Sequence, residues 1–144
     1  MRKRMIVAVL SLAVFALGSL ALAQQAPQAP AKPKPDAGKI LGTWNLEVSA
    51  EGSYFYLTMV LEQTEGKLTG KVSEQNGMFT DAALGNIEYT GAELSADVSV
   101  PSPPDGTIRT WALKFKVGEE TLEGTISNAD MGMTAAITGK RVKK

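Results

Sequence analysis

Three segments of this chain repeat one pattern. Leu68-Thr69-Gly70-Lys71-Val72-Ser73, Leu94-Ser95-Ala96-Asp97-Val98-Ser99 and Leu122-Glu123-Gly124-Thr125-Ile126-Ser127 all read L-x-[GA]-x-[VI]-S. Inward and outward types alternate with a period of two, which is the period of a β-strand and not of a helix. Each copy follows a tight-turn sequence after another alternating run, so the copies mark the return strands of successive hairpins. A chain built this way is a meander of antiparallel strands, each with one apolar and one polar face.

The same alternation recurs along the rest of the folded region. Trp44, Leu46 and Val48 share a face opposite Thr43, Asn45 and Glu47. Phe55, Leu57, Met59 and Leu61 share another, and Trp111, Leu113, Phe115 and Val117 a third. The spacing predicts eight strands, near 40–49, 54–63, 67–73, 84–90, 93–100, 107–117, 120–127 and 132–142. The predicted fold is all-β: an antiparallel eight-stranded up-and-down β-barrel, because closure removes both exposed sheet edges. A two-sheet β-sandwich is the alternative.

The barrel is expected to start near Lys39. Residues 24–38 are rich in proline, alanine and glutamine and lack apolar periodicity, which predicts an extended spacer. Before it, Arg2, Lys3 and Arg4 head an apolar run that ends in Ala21-Leu22-Ala23. A basic head, an apolar stretch and small residues at the end are the marks of a secretory signal cleaved after Ala23. An uncleaved membrane anchor is the alternative. Cleavage predicts a periplasmic or extracellular protein with no stable membrane anchor.

Composition narrows the chemistry. The chain has no histidine and no cysteine. It therefore lacks the commonest general base, the commonest metal ligand and any thiolate nucleophile. Lys plus Arg equal Asp plus Glu at 15 each. Loss of Arg2, Lys3 and Arg4 with the signal leaves the remainder mildly acidic, which argues against a nucleic-acid partner. Asp81, Asp105 and Asp130 fall in loops at one end, but without calcium-loop spacing they read as turn formers. Glu119 and Glu120 read as surface charges. Lys140, Arg141, Lys143 and Lys144 form a basic tail, read as a solvated terminus. Neither an enzyme activity nor a cofactor or metal is expected.

Two fixed points carry a family resemblance. Gly42-Thr43-Trp44 opens the first strand and Lys140-Arg141 closes the last. This resembles the signature of the calycin group, the lipocalins, fatty-acid-binding proteins and avidins. It is also similar to small exported bacterial barrels of no assigned function. The resemblance implies that Trp44 packs under Arg141, with Gly42 beside them, as a structural plug at one end.

In an up-and-down barrel alternate connections share an end. The turns after strands two, four and six are short, whereas the connections at 73–83 and 101–106 are long. One end is thus pinched and the other open. Loops on a rigid scaffold usually carry binding, so ligand or partner contacts are expected at the open end. The candidate contact residues are Met78, Phe79, Trp111, Phe55 and Tyr54, with Pro101, Pro103 and Pro104 stiffening the second long loop. Met78 and Phe79 are apolar residues in a polar loop. They either fold back over the mouth, which is the expectation, or stand out as a patch. Tyr54 and Tyr56 should face outward. The small inward residues Gly70, Ala96, Gly124, Ala135 and Gly139 either leave a cavity or complement Trp44, Phe55, Tyr89, Trp111 and Phe115. A filled interior is the expectation.

The expected function is a non-catalytic binding or interaction module using its open-end loops, with an exported protein as partner. The alternative is a lipocalin-like carrier of a small apolar ligand in the barrel interior. The architecture is also similar to that of some exported bacterial metalloprotease inhibitors.

Overall fold

A computed structural model describes residues 34–143. The expected signal segment and the expected spacer up to residue 33 lie outside the described residues. Eight strands follow one another: β1 (Gly42–Ala50), β2 (Ser53–Thr64), β3 (Lys67–Glu74), β4 (Ala82–Tyr89), β5 (Glu93–Ser102), β6 (Thr107–Val117), β7 (Thr121–Asn128) and β8 (Met133–Arg141). Each pairs antiparallel with the next, and β8 pairs back onto β1, giving a closed up-and-down barrel. Closure excludes the sandwich alternative.

Local chemistry sets the turns. Glu51-Gly52 and Glu65-Gly66 join their strands with two residues each, all four at positive φ. Paired positive φ matches the twist of the flanking strands, and glycine at the second position meets it without strain. The alternation then places Trp44, Leu46 and Val48 inside and Asn45, Glu47 and Ser49 outside.

Several strand boundaries differ from expectation: β1 begins at Gly42 and not at residue 40, and two further shifts matter at the open end. β4 begins at Ala82 and β5 runs on to Ser102, so the long connections shorten to 75–81 and 103–106. Pro101 is therefore in β5, opposite Ile108, close to the end of the strand. The packed chain also starts before Lys39. Asp36 caps a 3-10 turn at Ala37–Lys39 by accepting the Gly38 N–H at 2.9 Å, and Ala37 and Ile40 are buried in the core.

The pinched half is solid. Trp44 is fully buried and donates from Nε1 to the Ile40 carbonyl at 2.8 Å. The Arg141 guanidinium lies 4.3 Å from the Trp44 ring centre and donates to the carbonyls of Leu41, at 2.7 Å, and Lys39. Arg141 thus satisfies carbonyls around the 3-10 turn and covers an aromatic face at once. Small residues here complement large ones. A Cβ on Gly139 would stand 2.7 Å from Leu46 Cδ2, and one on Gly70 2.8 Å from both Leu61 Cδ2 and Leu84 Cδ1. At Gly124 the neighbour is backbone: a Cβ would fall 1.8 Å from the Lys114 carbonyl oxygen. Strand β7 runs against β6 at a distance that only glycine allows.

One seam is looser. β3 and β4 share only the pairs Lys71↔Ala83 and Val72↔Ala82. The register of β4 shifts between Gly85 and Glu88, where Asn86 adopts φ 47 and donates to Asp97. A bulge of this kind bends a strand away from its ladder. Leu68, Leu84 and Ile87 pack against the core along this stretch.

Candidate functional site

On β8 three inward positions follow one another, Ala135, Ile137 and Gly139. Gly139 is met by Leu46 and Leu122, and Ile137 is fully buried. Ala135 instead faces a cavity of about 160 Å³ in the open half. The buried walls include Val48, Leu57, Val98, Leu113 and Ile126. Phe55, Trp111, Met131 and Met133 surround the mouth, and the loops 75–81, 103–106 and 129–132 frame it. The expected filled interior therefore holds for the pinched half and fails in the open half. Ala50 and Ala135 are small residues in its lining.

Four of the five candidate contact residues come together here: Phe55, Met78, Phe79 and Trp111 all line the cavity. Tyr54 does not. It alternates with Phe55 and points outward, 59% exposed, opposite Ser49. It faces outward as the alternation predicts, because the pleat sends neighbouring side chains to opposite faces, and so stands apart from the cavity. The Met78–Phe79 pair divides between the two expected outcomes. Phe79 folds back against the core, while Met78 stays 45% exposed at the mouth.

Three buried polar residues fasten the mouth, and all three end their strands. Glu74 closes β3 and accepts from the N–H groups of Asn76 at 2.8 Å and Met78 at 3.2 Å, and from Asn76 Nδ2 at 2.9 Å. Ser102 closes β5, accepts from Trp111 Nε1 at 2.8 Å and donates to the Val100 carbonyl at 3.1 Å. Asn128 closes β7, donates to the Thr110 carbonyl and accepts from the Met131 N–H, both at 2.8 Å. Sequence reasoning missed all three. A signal was available: Glu74 and Asn128 stand two residues beyond the inward Val72 and Ile126 of the repeated pattern, so alternation turns them inward too.

The rim carries a fixed ion pair. Arg109 Nη1 and Nη2 meet Asp105 Oδ1 and Oδ2 at 2.7 and 2.9 Å. This fork, with the Thr107 N–H at 3.0 Å, holds the Asp105 carboxyl well below the usual carboxylate range. Asp105 in turn holds the Arg109 guanidinium above its ordinary value. Asp81 pairs with Lys71 at 3.2 Å. Each of these two aspartates thus has a cation of its own, and among the described residues no group of acidic side chains converges as a metal site requires.

No family model, no curated protein and no solved structure matches this chain.

Proposed function

We propose that this protein is an exported, non-catalytic binding module that takes a small apolar ligand into the open half of its barrel. The cavity is the observation that carries the reading. It is lined almost wholly by apolar side chains, and its loops are held in place by hydrogen bonds before any ligand arrives. Ordering loops on binding costs free energy, so a mouth already ordered favours affinity. A comparable cavity of roughly 150 Å³ binds benzene, which sets the scale at one ring or a short chain. Calycin-like ancestry is part of the proposal. It rests on Gly42, Trp44 and Arg141 and on the stacked contact between the last two. Export rests on the segment from Arg2 to Ala23, and cleavage after Ala23 would be read from the mass of the mature protein.

The test is titration with a neutral single-ring probe, followed by Trp111 emission. A saturable change is expected in the wild type, and its loss is expected in Ala135→Leu, whose side chain fills the cavity. No change in the wild type, or an undiminished one in the variant, overturns the reading.

A protein partner on the open-end loops is a second reading, favoured by the exposure of Met78. Partner binding retained in Ala135→Leu but lost in Met78→Ser would support it.

A further inference from the structure

The chain has six methionines and no cysteine, so its sulfur is all thioether. Four methionines lie among the described residues, and they divide between the two halves of the barrel. Met59 pairs with Trp44 across the β1–β2 ladder and is 1% exposed. Met78, Met131 and Met133 all line the cavity of the open half. They come from the loops 75–81 and 129–132 and from the first residue of β8. Met78 is 45% exposed, and Met131 and Met133 are half-buried.

A methionine is a flexible apolar side chain suited to an irregular apolar wall. Its sulfoxide is polar, and a polar group that leaves water needs a hydrogen-bond partner. The donors at this mouth are already engaged. Trp111 Nε1 donates to Ser102, and the Ser102 hydroxyl donates to the Val100 carbonyl. The N–H groups of Asn76 and Met78 donate to Glu74, and that of Met131 donates to Asn128. The rest of the lining is almost wholly apolar.

We propose that Met78, Met131 and Met133 form an oxidation gate on this cavity, with hydrogen peroxide as the oxidant. The thioether sulfur attacks one peroxide oxygen, the O–O bond breaks, a sulfur–oxygen bond forms and water leaves. Sulfur gives up two electrons and the peroxide takes them. Each sulfoxide puts an unpaired acceptor into the apolar wall, so an apolar ligand binds less well. Enzymatic reduction of the sulfoxide restores the thioether and the wall. Met59, sealed beside Trp44, is spared. This inference rests on the apolar-cavity reading above and adds the regulation of that site.

The test treats the intact protein with hydrogen peroxide, reads the oxidised positions from peptide masses, and titrates toluene before and after by calorimetry. Oxidation is expected at Met78, Met131 and Met133 ahead of Met59. Toluene affinity should then fall about ten- to a hundredfold, the cost of an unpaired polar group. Methionine sulfoxide reductase should restore it. The triple variant Met78→Leu, Met131→Leu, Met133→Leu keeps the volume and the apolar surface. It should bind toluene equally before and after peroxide. Unchanged affinity in wild-type protein carrying all three sulfoxides overturns the gate and leaves the apolar cavity standing. Oxidation of Met59 first, or an equal loss in the leucine variant, does the same. No toluene binding before peroxide overturns both. If the triple variant does not fold, recovery with the reductase decides alone.

Discussion

The two tryptophans of this barrel occupy its two ends, and the same hydrogen bond serves opposite purposes. Each indole donates from Nε1 at 2.8 Å, Trp44 to the Ile40 carbonyl and Trp111 to the Ser102 hydroxyl. Trp44 is sealed from every side, with Arg141 stacked on its face. Trp111 is tied down at its edge and left with a cavity beside it. An indole that must stay put can therefore be used either to fill a space or to wall one. The surroundings differ: Arg141 and Ile40 close over Trp44, whereas the cavity that Ala50 and Ala135 also line stands beside Trp111.

The largest effect should come from breaking the sealed end. Trp44→Ala removes a fully buried ring, the bond to Ile40 and the surface on which Arg141 lies. A loss of about 3–5 kcal/mol is expected in denaturant unfolding, as for other buried large aromatics. A loss near zero would remove the distinction between the ends altogether.

Next comes a pair of small-to-large changes with opposite signs. Gly124→Ala drives a Cβ into the Lys114 carbonyl, and β6 and β7 must part to admit it. About 1–3 kcal/mol of destabilisation is expected, as in other overpacked cores. Ala135→Leu puts volume into existing space, so it should be neutral or stabilising by about 1 kcal/mol. Equal losses in thermal unfolding would mean that the open half is as filled as the pinched one.

This pair also marks where sequence reading stops. Alternation made the strands legible: Leu46, Leu57, Leu113 and Ile137 each face the interior because their strand neighbours are polar or small and sit on the other face. Gly42, Trp44 and Arg141 were legible through a resemblance. The cavity was not. Ala135 and Gly139 look alike in sequence, both small and both inward on β8. Only the placed side chains tell that Leu46 and Leu122, on the two neighbouring strands, close over Gly139, while Ala135 is left lining the cavity. Glu74, Ser102 and Asn128 were hidden for a related reason. Polar residues beside a turn ordinarily stand in solvent, and these turn inward because the alternation continues to the last residue of the strand. The place of Pro101 failed the other way. Proline near a turn suggests loop, yet a strand terminus tolerates its missing N–H.

A smaller effect tests whether the open mouth is truly fastened. Asn128 is 1% exposed and joins the Thr110 carbonyl to the Met131 N–H. Asn128→Ala leaves both groups without that partner. A cost of about 1–3 kcal/mol is expected, the penalty of unpaired buried polar groups. Hydrogen exchange should rise at Met131 while the Trp44 end stays protected. A uniform rise across the barrel would show that the two ends do not open independently.

The smallest effect belongs to the rim pair. The Asp105 carboxyl is held below its ordinary range first by the Arg109 fork and then by the Thr107 N–H. A carboxylate whose folded value is depressed contributes stability above its unfolded value, near pH 4, and loses that contribution as pH falls through the folded value. The chain has no histidine to titrate between pH 5 and 8. Stability should therefore be flat across that interval and decline only in acid. Asp105 is exposed to solvent, so its share of the decline is small and should shrink further with added salt. Asp105→Asn should remove that share and leave the neutral plateau flat. It also releases Arg109 at the rim, close to the loop 103–106 that frames the cavity. If the acid decline is unchanged in Asp105→Asn, the rim pair does not hold the mouth, and the order at the open end rests on Glu74, Ser102 and Asn128.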